Sequence, residues 1–375
     1  MIKRLYISGY KTLVDFELHL DRMTLLLGPN GSGKSAVMEC LLLLREFIVS
    51  GKSIKELMPD VVRPCFVRES DWFQKIELEI YGNDGLYCYR MITEDDWMGS
   101  VDIKEESLSF NNKLQFEYKE YKLHYYNDGK QDGEPLPKDN EHSVFQMPVE
   151  KFRVTRFQSI IKRMVIVQPQ PKIMEGVSRR RELYLQSNGS NFASWWHHLM
   201  MTETGLVMEV SQRLQEVFPG FQFMQMKVIG ENVFSLMVVF SIQKKRIEIP
   251  FTQLSDGQKC LILLYALLAA MQHGKVPILF IDEPENFLAL PEIMPWLNQL
   301  LSQSEEEQAQ GQCLLISHHP KMINFLASAW GRWLERDPLS GASKAYPIAG
   351  TAEEEKEGGL PLSRLVERGW IMDDV

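Results

Sequence analysis

The residues best suited to chemistry form a glycine-rich loop near the start of the chain. From Gly28 to Ser35 the sequence reads GPNGSGKS, which fits the pattern G-x-x-x-x-G-K-[ST] at every position. Such glycines let backbone N–H groups turn inward and hold phosphate oxygens at a helix N-terminus. Lys34 would span the β- and γ-phosphates, and the Ser35 hydroxyl would ligate Mg²⁺. The predicted nucleotide-binding residues are Asn30, Gly31, Ser32, Gly33, Lys34 and Ser35.

A second chemical element is a pair of acids at the end of an apolar run. The sequence ILFI from Ile278 is followed at once by Asp282 and Glu283. Open α/β sheets bind ligands at the carboxyl ends of their strands, so both acids should lie at a binding edge. We expect Asp282 to hold Mg²⁺ through water. Glu283 should polarise the attacking water as general base.

A third element, LSDGQK, occupies residues 254–259, and its Ser255 lies 27 residues before Asp282. It opens a long apolar helix, so a hydroxyl and free backbone amides point from the helix N-terminus and suit a γ-phosphate. A single fold has one phosphate loop, so a second phosphate-binding N-terminus requires another nucleotide. The residues predicted to act on that nucleotide are Ser255, Gly257 and Gln258.

Taken in order, GPNGSGKS, LSDGQK, FIDEPEN and ISHHP (316–320) resemble the ABC ATPase superfamily, specifically its SMC, RecF and OLD-like branch. The motifs cover nearly the whole chain. The resemblance implies an α/β P-loop fold with a mostly parallel core sheet, an antiparallel β subdomain and a short helical insertion. It also implies ATP and Mg²⁺ as cofactors, and a head-to-tail homodimer in which the LSxGx[KQ] helix completes the partner's ATP site.

The resemblance further implies a switch histidine and a glutamine close to the γ-phosphate. His318 is the expected histidine. His319 is the second choice, because the family's usual T-H-S-P places the histidine second. The glutamine, a ligand of Mg²⁺ and of the attacking water, is expected at Gln168, with Gln170 and Gln74 as alternatives.

Two positions depart from the family pattern. Asp256 stands where transporter signatures commonly have glycine, which favours the SMC-like branch. Ala289 stands where many relatives have histidine, so the contacts beyond Glu283 stay open. The chain ends soon after the last motif, so we expect no carboxy-terminal Toprim nuclease domain of the OLD type.

The elements that must position these motifs can be read from periodicity. We predict paired strands at Lys3–Ile7 and Leu13–Leu20, a buried strand at Met23–Leu27 and a helix at Ala36–Val49. An antiparallel meander should follow over Ile76–Tyr126. Further predictions are a surface loop at Asp128–Gln146, a helix at Lys151–Arg163, two helices in Asn191–Phe218, strands resuming at Phe234–Phe240, a helix at Gln258–Gln272 and a helix at Lys321–Trp330.

Four segments follow from this pattern. Residues 1–170 form an N-terminal ATPase lobe, 171–233 a helical insertion, 234–350 a C-terminal lobe, and 351–375 an acidic tail. In the insertion, the aromatic run Trp195–His198 allows two interpretations, which are core packing and a partner surface.

Composition favours a soluble cytoplasmic protein. Of 375 residues, 45% are hydrophobic and 24% charged. The longest apolar stretch, Leu261–Met271, is shorter than a membrane span. The first residues lack an export signal, and the five cysteines show no C-x-x-C spacing.

One segment departs from the net charge of −9. Residues 151–181 carry a net charge of +8 and include Gln168. This charge suits binding to a polyanion such as nucleic acid or to an acidic partner. The alternative is that these residues form a face that is simply exposed to solvent. The basic residues are Lys151, Arg153, Arg156, Lys162, Arg163, Lys172, Arg179, Arg180 and Arg181.

The motifs together predict an ATPase that dimerises on ATP and acts as a switch for an effector protein. By analogy with the family, the effector would be a nuclease or toxin used in anti-phage defence or DNA maintenance. Two other functions stay open. One is the motor subunit of an ABC transporter, which predicts a compact insert after the phosphate loop. The other is a non-hydrolysing, ATP-sensing scaffold, which predicts loss of the catalytic glutamate.

Overall fold

A computed structural model describes residues 1–58, 73–95, 100–148, 151–305, 310–348 and 363–364. The chain forms two compact units: unit 1 comprises residues 1–164 and 318–375, and unit 2 comprises residues 165–317. The four-segment division expected from the sequence stays a prediction. The described strands are β1 (Ile2–Ser8), β2 (Phe16–His19), β3 (Met23–Leu27), β4 (Phe73–Gly82), β5 (Gly85–Asp95), β6 (Val101–Phe110), β7 (Lys113–Lys119), β8 (Lys122–Asn127), β9 (Lys130–Gln131), β10 (Leu136–Pro137), β11 (Val165–Val167), β12 (Val177–Ser178), β13 (Phe221–Gly230), β14 (Val233–Ile242), β15 (Lys245–Pro250), β16 (Ile278–Asp282), β17 (Gln312–Ile316), β18 (Gly331–Arg336) and β19 (Ser343–Pro347). The described helices are α1 (Lys34–Val49), α2 (Ile54–Leu57), α3 (Phe152–Lys162), α4 (Phe192–Thr202), α5 (Thr204–Val217), α6 (Asp256–Gln272), α7 (Leu290–Glu305) and α8 (Pro320–Trp330).

Unit 1 contains a large antiparallel sheet. Its strand order is β10-β8-β7-β6-β5-β4-β1-β2, with β9 also paired to β8. Sequence neighbours pair with sequence neighbours from β4 to β8, and two-residue turns at 83–84, 111–112 and 120–121 connect three of these pairs of strands. The predicted meander and the predicted pairing of the first two strands are confirmed.

The inner face of this sheet packs on helix α3 through aromatic side chains. The ring of Phe157 on α3 stacks on Tyr89 at 5.6 Å and on Phe145 at 5.6 Å, and Phe145 meets Phe116 edge-on at 5.4 Å. Phe145 belongs to the segment 128–146, for which the prediction of a surface loop is wrong. That segment holds β9, β10 and a short 3₁₀ turn whose apolar side chains are buried. Polar composition hid two buried apolar residues, Val144 and Phe145, at its end.

Unit 1 also holds a small group of strands around β3. Every residue of β3 is buried, as expected for a continuous apolar run. It pairs in parallel with β18, which pairs antiparallel with β19. Six residues separate the end of β3 from the start of α1, so the phosphate loop connects a buried strand to a helix. The last two strands were not predicted.

Unit 2 combines a parallel and an antiparallel sheet. Strands β11, β16 and β17 are parallel neighbours, with Val167 beside Ile281 and Asp282 beside Ile316. Strands β12 to β15 form the antiparallel sheet. Helix α6 is buried from Lys259 to Met271 and is packed by α7, where the Trp296 indole donates to the Leu264 carbonyl at 2.9 Å. Strand β13 lies where the sequence predicted none.

The aromatic run of helix α4 belongs to the core of unit 2. Trp195 and Trp196 are 3% and 0% exposed, and His197 is buried against Phe234. His197 also lies within hydrogen-bonding distance of the Ser178 hydroxyl, at 3.0 Å. The core-packing interpretation of this run is therefore confirmed.

These elements confirm the predicted fold class, an α/β protein with parallel strands, an antiparallel β subdomain and a helical insertion. In the part of the chain that the structure describes, no helix is both long and apolar enough to cross a membrane.

The aromatic contact between α3 and the large sheet gives a stability prediction. Phe157→Ala removes a ring that is 0% exposed, so we expect a loss of about 3–5 kcal/mol in the free energy of unfolding. The matched control, Phe152→Ala, removes the same side chain from the same helix where it is 71% exposed, and should change stability by less than about 0.5 kcal/mol. Urea unfolding of both variants checks this. Equal losses would contradict the packing described.

Candidate nucleotide-binding and hydrolysis site

The phosphate loop lies in unit 1 between β3 and α1. Its backbone takes left-handed or unusual conformations at Gly28, Gly31 and Gly33, with φ of 144°, 79° and 104°. A Cβ atom at Gly28 would lie 2.0 Å from the Leu334 carbonyl oxygen, and one at Gly33 would lie 2.7 Å from the Ser343 hydroxyl. The first and last of these glycines are therefore required by close packing. A Cβ at Gly31 would meet nothing within 4 Å, so that side of the loop is open.

The polar groups of the loop suit an anion. Ser32 is 1% exposed, and its hydroxyl has no hydrogen-bond partner among the residues that the structure describes. Lys34 is buried and its ammonium donates to the carbonyls of Gly28 (2.7 Å) and Pro29 (3.0 Å), so the cation lies against the loop itself. Helix α1 has no acid in its first turn, which leaves its N-terminal amides suited to negative charge. A triphosphate fits these residues.

The two histidines after β17 differ in their surroundings. His319 is the N-cap of helix α8, and its Nδ1 accepts the Lys321 backbone N–H at 3.2 Å. His318, the residue before it, is exposed. A local capping role therefore explains His319, while the predicted role of His318 as switch histidine stays a prediction.

In unit 2, Gln168 and Asp282 lie side by side. They follow or end the parallel strands β11 and β16, whose register places Val167 opposite Ile281. The Gln168 side-chain amide donates to the Asp282 carboxylate at 3.2 Å. The two side chains present carboxylate and amide oxygens, which are ligand types that Mg²⁺ takes in proteins, so the donor set fits the metal.

The other candidate glutamines lie elsewhere. Gln170 is exposed two residues further on, and its backbone N–H donates to the Asn188 carbonyl at 3.2 Å. Gln74 belongs to β4 of unit 1, where its side chain accepts from the Thr93 hydroxyl at 3.4 Å. Of the three candidates, Gln168 is the one that hydrogen-bonds to an acid of the predicted site among the described residues.

Glu283 is held in a strained conformation at the start of the turn after β16. Its φ is 50°, a left-handed value that costs a residue with a side chain roughly 1–3 kcal/mol. Its backbone N–H donates to the Ile316 carbonyl at 2.9 Å, and Asn286 donates to its Oε2 at 2.6 Å. Sequence analysis missed Asn286, although its position three residues after Glu283 was the available signal.

The signature serine caps helix α6. The Ser255 hydroxyl accepts the Gln258 backbone N–H at 3.2 Å, and the Gln258 side chain accepts the Ser255 backbone N–H at 3.0 Å. This reciprocal capping box fixes the orientation of an exposed serine at the N-terminus of the helix. It also gives Gln258 a structural role within its own helix, one that sequence analysis did not assign.

Gly257 lies where the signature helix meets the turn that carries Glu283. A Cβ at Gly257 would be 2.8 Å from the Phe287 carbonyl oxygen. Deeper in the same contact, the Cys260 thiol lies 3.7 Å from the Pro284 carbonyl. The first turns of α6 and residues 284–287 are therefore packed backbone to backbone, which requires glycine at position 257 independently of any phosphate.

The basic segment 151–181 is divided between the two units, and part of it is locally satisfied. In unit 1, Lys151 pairs with Asp132 at 2.7 Å, and Arg153 lies over an aromatic ring at 4.1 Å. In unit 2, Arg179–Arg181 are exposed, and the middle arginine pairs with Glu182 at 3.1 Å. The three arginines form a contiguous exposed group within the segment.

The sequence profile of the RecF/RecN/SMC N-terminal domain matches residues 1–337. The chain therefore belongs to the family of RecF/RecN/SMC N-terminal domains. A search among curated proteins returns no match.

Solved structures of SMC head domains have the same fold. An SMC head bound to the C-terminal winged-helix domain of ScpA is 13% identical, with a TM-score of 0.59, covering 94% of this chain and 99% of that one. An SMC head with an extended coiled coil, bound to the C-terminal domain of ScpA derived from Pyrococcus furiosus, is also 13% identical. Its TM-score is 0.56, and the match covers 95% of this chain and 98% of that one.

The contact at Gly257 gives a second prediction. Gly257→Ala forces a methyl group against the Phe287 carbonyl, so we expect the free energy of unfolding to fall by about 1–3 kcal/mol. In the control, Gly205→Ala, the added methyl meets only a His273 ring carbon at 3.7 Å, and the helix should gain up to about 1 kcal/mol. Calorimetric melting of both variants distinguishes them. A Gly257→Ala protein as stable as Gly205→Ala would refute the close contact.

Proposed function

We propose that this chain binds and hydrolyses ATP with Mg²⁺ and closes head to tail with a second copy around the nucleotide. The observation that carries the proposal is the hydrogen-bonded pair Gln168–Asp282, with Glu283 next in the chain, at the carboxyl ends of adjacent parallel strands. Family membership and the glycine-rich loop support the same function.

Each residue has a defined task in this proposal. The loop amides and Lys34 bind the phosphates, while Ser35, Asp282 and Gln168 hold the metal. ATP supplies the γ-phosphoryl group, and Mg²⁺ offsets its charge. Because Asn286 donates to Oε2 of Glu283, we assign the proton of the attacking water to the other carboxylate oxygen, Oε1. His318 contacts the γ-phosphate and reports its presence.

The signature helix serves the nucleotide of the second copy. With Ser255 Oγ accepting from Gln258 N–H, its own proton is available to donate to a phosphate oxygen. The N-terminal amides of α6 add a partial positive charge to the same place. The carboxylate of Asp256, in the first turn of α6, repels the anionic phosphate. Closure of the dimer therefore depends on Mg²⁺ and on Lys34 of the facing copy.

We further propose that the closed dimer switches an effector protein, with a nuclease or toxin in anti-phage defence or DNA maintenance as the leading case. One supporting observation is that both similar SMC heads were solved with part of a partner protein, ScpA. Another is the exposed Arg179–Arg181 group, which suits nucleic acid or an acidic partner surface.

Two competing functions make different predictions. A transporter motor needs a compact insert after the phosphate loop, whereas the large antiparallel sheet occupies most of that region. A non-hydrolysing scaffold needs no general base, whereas Glu283 is held in place by Asn286 and the Ile316 carbonyl. Both observations favour the hydrolysing switch.

Substitution of the general base tests hydrolysis. Glu283→Gln keeps the size and the Asn286 hydrogen bond but cannot take a proton. ATP should therefore bind, while phosphate release falls by roughly 10²- to 10⁴-fold. Lys34→Ala should instead lose nucleotide binding, because the phosphates lose their fixed cation. Glu216→Gln on the exposed face of α5 is the matched control and should keep the wild-type rate. Wild-type turnover by Glu283→Gln would exclude the assignment.

Mixing two inactive variants tests action in trans. In a dimer of Lys34→Ala with Ser255→Arg, one site carries both changes and the other carries neither. After random exchange about a quarter of all sites should be intact, so phosphate release should reappear on mixing. The control mixes Lys34→Ala with the double variant Lys34→Ala/Ser255→Arg, which leaves no intact site. If the first mixture releases no more phosphate than the control, the two copies do not share a site.

A further inference from the structure

The turn after β16 contains a second acid that the function above does not use. Glu285, in the sequence DEPEN, is only 8% exposed. Its Oε1 accepts a hydrogen bond from the Ser317 hydroxyl at 2.5 Å. Ser317 is itself 0% exposed and directly precedes His318 in the chain. The buried carboxylate of Glu285 thus binds Ser317, the residue directly before the proposed switch histidine.

The same two stretches of chain are joined a second time through the backbone. The Glu283 N–H donates to the Ile316 carbonyl at 2.9 Å, one residue before Ser317. The end of β17 is therefore tied to the turn by one backbone and one side-chain hydrogen bond. A left-handed φ at Glu283 persists only where surrounding contacts impose it, and these two bonds are such contacts.

The signature helix encloses the acid from another side. The Cys260 thiol donates to the Pro284 carbonyl at 3.7 Å. Burial, together with the smaller effect of the nearby Glu285 carboxylate, raises the pKa of the Cys260 thiol to about 12. Because water is largely excluded, a hydrogen bond between a hydroxyl and a carboxylate is stronger here than at the surface. Glu285 thus lies among the turn, the end of β17 and the start of α6.

We propose that Glu285 is a positioning residue for hydrolysis, acting through Ser317. In this role it acts through its hydrogen bond to Ser317 rather than by contacting nucleotide or metal. It holds the end of β17 in register with the Glu283 turn, so that the general base and the segment entering His318 keep fixed backbone positions. The proposal rests on the ATPase function above and adds a residue to it. In the family pattern T-H-S-P the position before the histidine also bears a hydroxyl, so threonine should serve at position 317.

The test compares Ser317→Ala with Ser317→Thr and with Glu285→Gln/Ser317→Ala. Ser317→Ala should lower kcat about tenfold or more while KM for ATP stays within about twofold, because misplacement of catalytic groups affects the reaction more than binding. Ser317→Thr should restore kcat. The double variant should be no slower than the more affected of Ser317→Ala and Glu285→Gln, because both act on one hydrogen bond, which the first removes and the second weakens by taking away the charge of the acceptor.

Two further measurements separate positioning from a merely structural role. The control Ser178→Ala removes another buried hydroxyl of unit 2, which bonds the Arg180 carbonyl and His197, and should leave kcat unchanged. Hydrogen exchange should show faster exchange of the Glu283 amide in Ser317→Ala than in the wild type. If the wild type hydrolyses ATP and Ser317→Ala keeps its kcat, the positioning role is refuted. If the wild type does not hydrolyse ATP, the proposed function fails. In that case the hydrogen-exchange rate of the Glu283 amide still tests the contact through Glu285, and an unchanged rate in Ser317→Ala refutes it.

Discussion

The backbone hydrogen bond from Glu283 to the Ile316 carbonyl, with the left-handed turn that it closes, is the constraint on which unit 2 depends. Here the turn brings Asn286 back onto Glu283 and places Phe287 against the signature helix. The backbone strain at Glu283 is thus balanced by the contact of Asn286 with Glu283 and by the contact of Phe287 with helix α6. Residues predicted to serve two different nucleotides are packed together within one unit.

Most of the fold and of the candidate site could be predicted because spacing and residue type act locally. The alternating apolar residues of β4 to β8 predicted the meander, and the all-apolar Met23–Leu27 predicted a strand buried on every side. The loop glycines predicted backbone conformations that the φ angles confirm. The preference for Gln168 over Gln74 and Gln170 was a hypothesis that rested on the order of the motifs along the chain. The parallel register of β11 and β16 explains why Gln168 lies beside Asp282.

The remaining features depend on contacts between residues far apart in sequence. Strand β13 carries mixed polar and apolar residues, and its pairing with β14 decides its conformation more than its own composition does. Gly257 looked like a phosphate-binding residue, yet its closest constraint is a carbonyl 30 positions later. The bond from Ser317 to Glu285 spans 32 positions and exists only because β16 and β17 are neighbours. No local pattern contains that information.

The central claim is that ATP joins two copies of this chain, each supplying Ser255 to the nucleotide of the other. Light scattering of the Glu283→Gln protein, with and without ATP and Mg²⁺, tests it most directly. The account predicts that the mass rises from the 43.5 kDa of one chain to twice that value on adding nucleotide. It also predicts that Ser255→Arg in the same background abolishes the increase. A mass that does not change with ATP, or one that rises equally in the Ser255→Arg protein, would contradict the account.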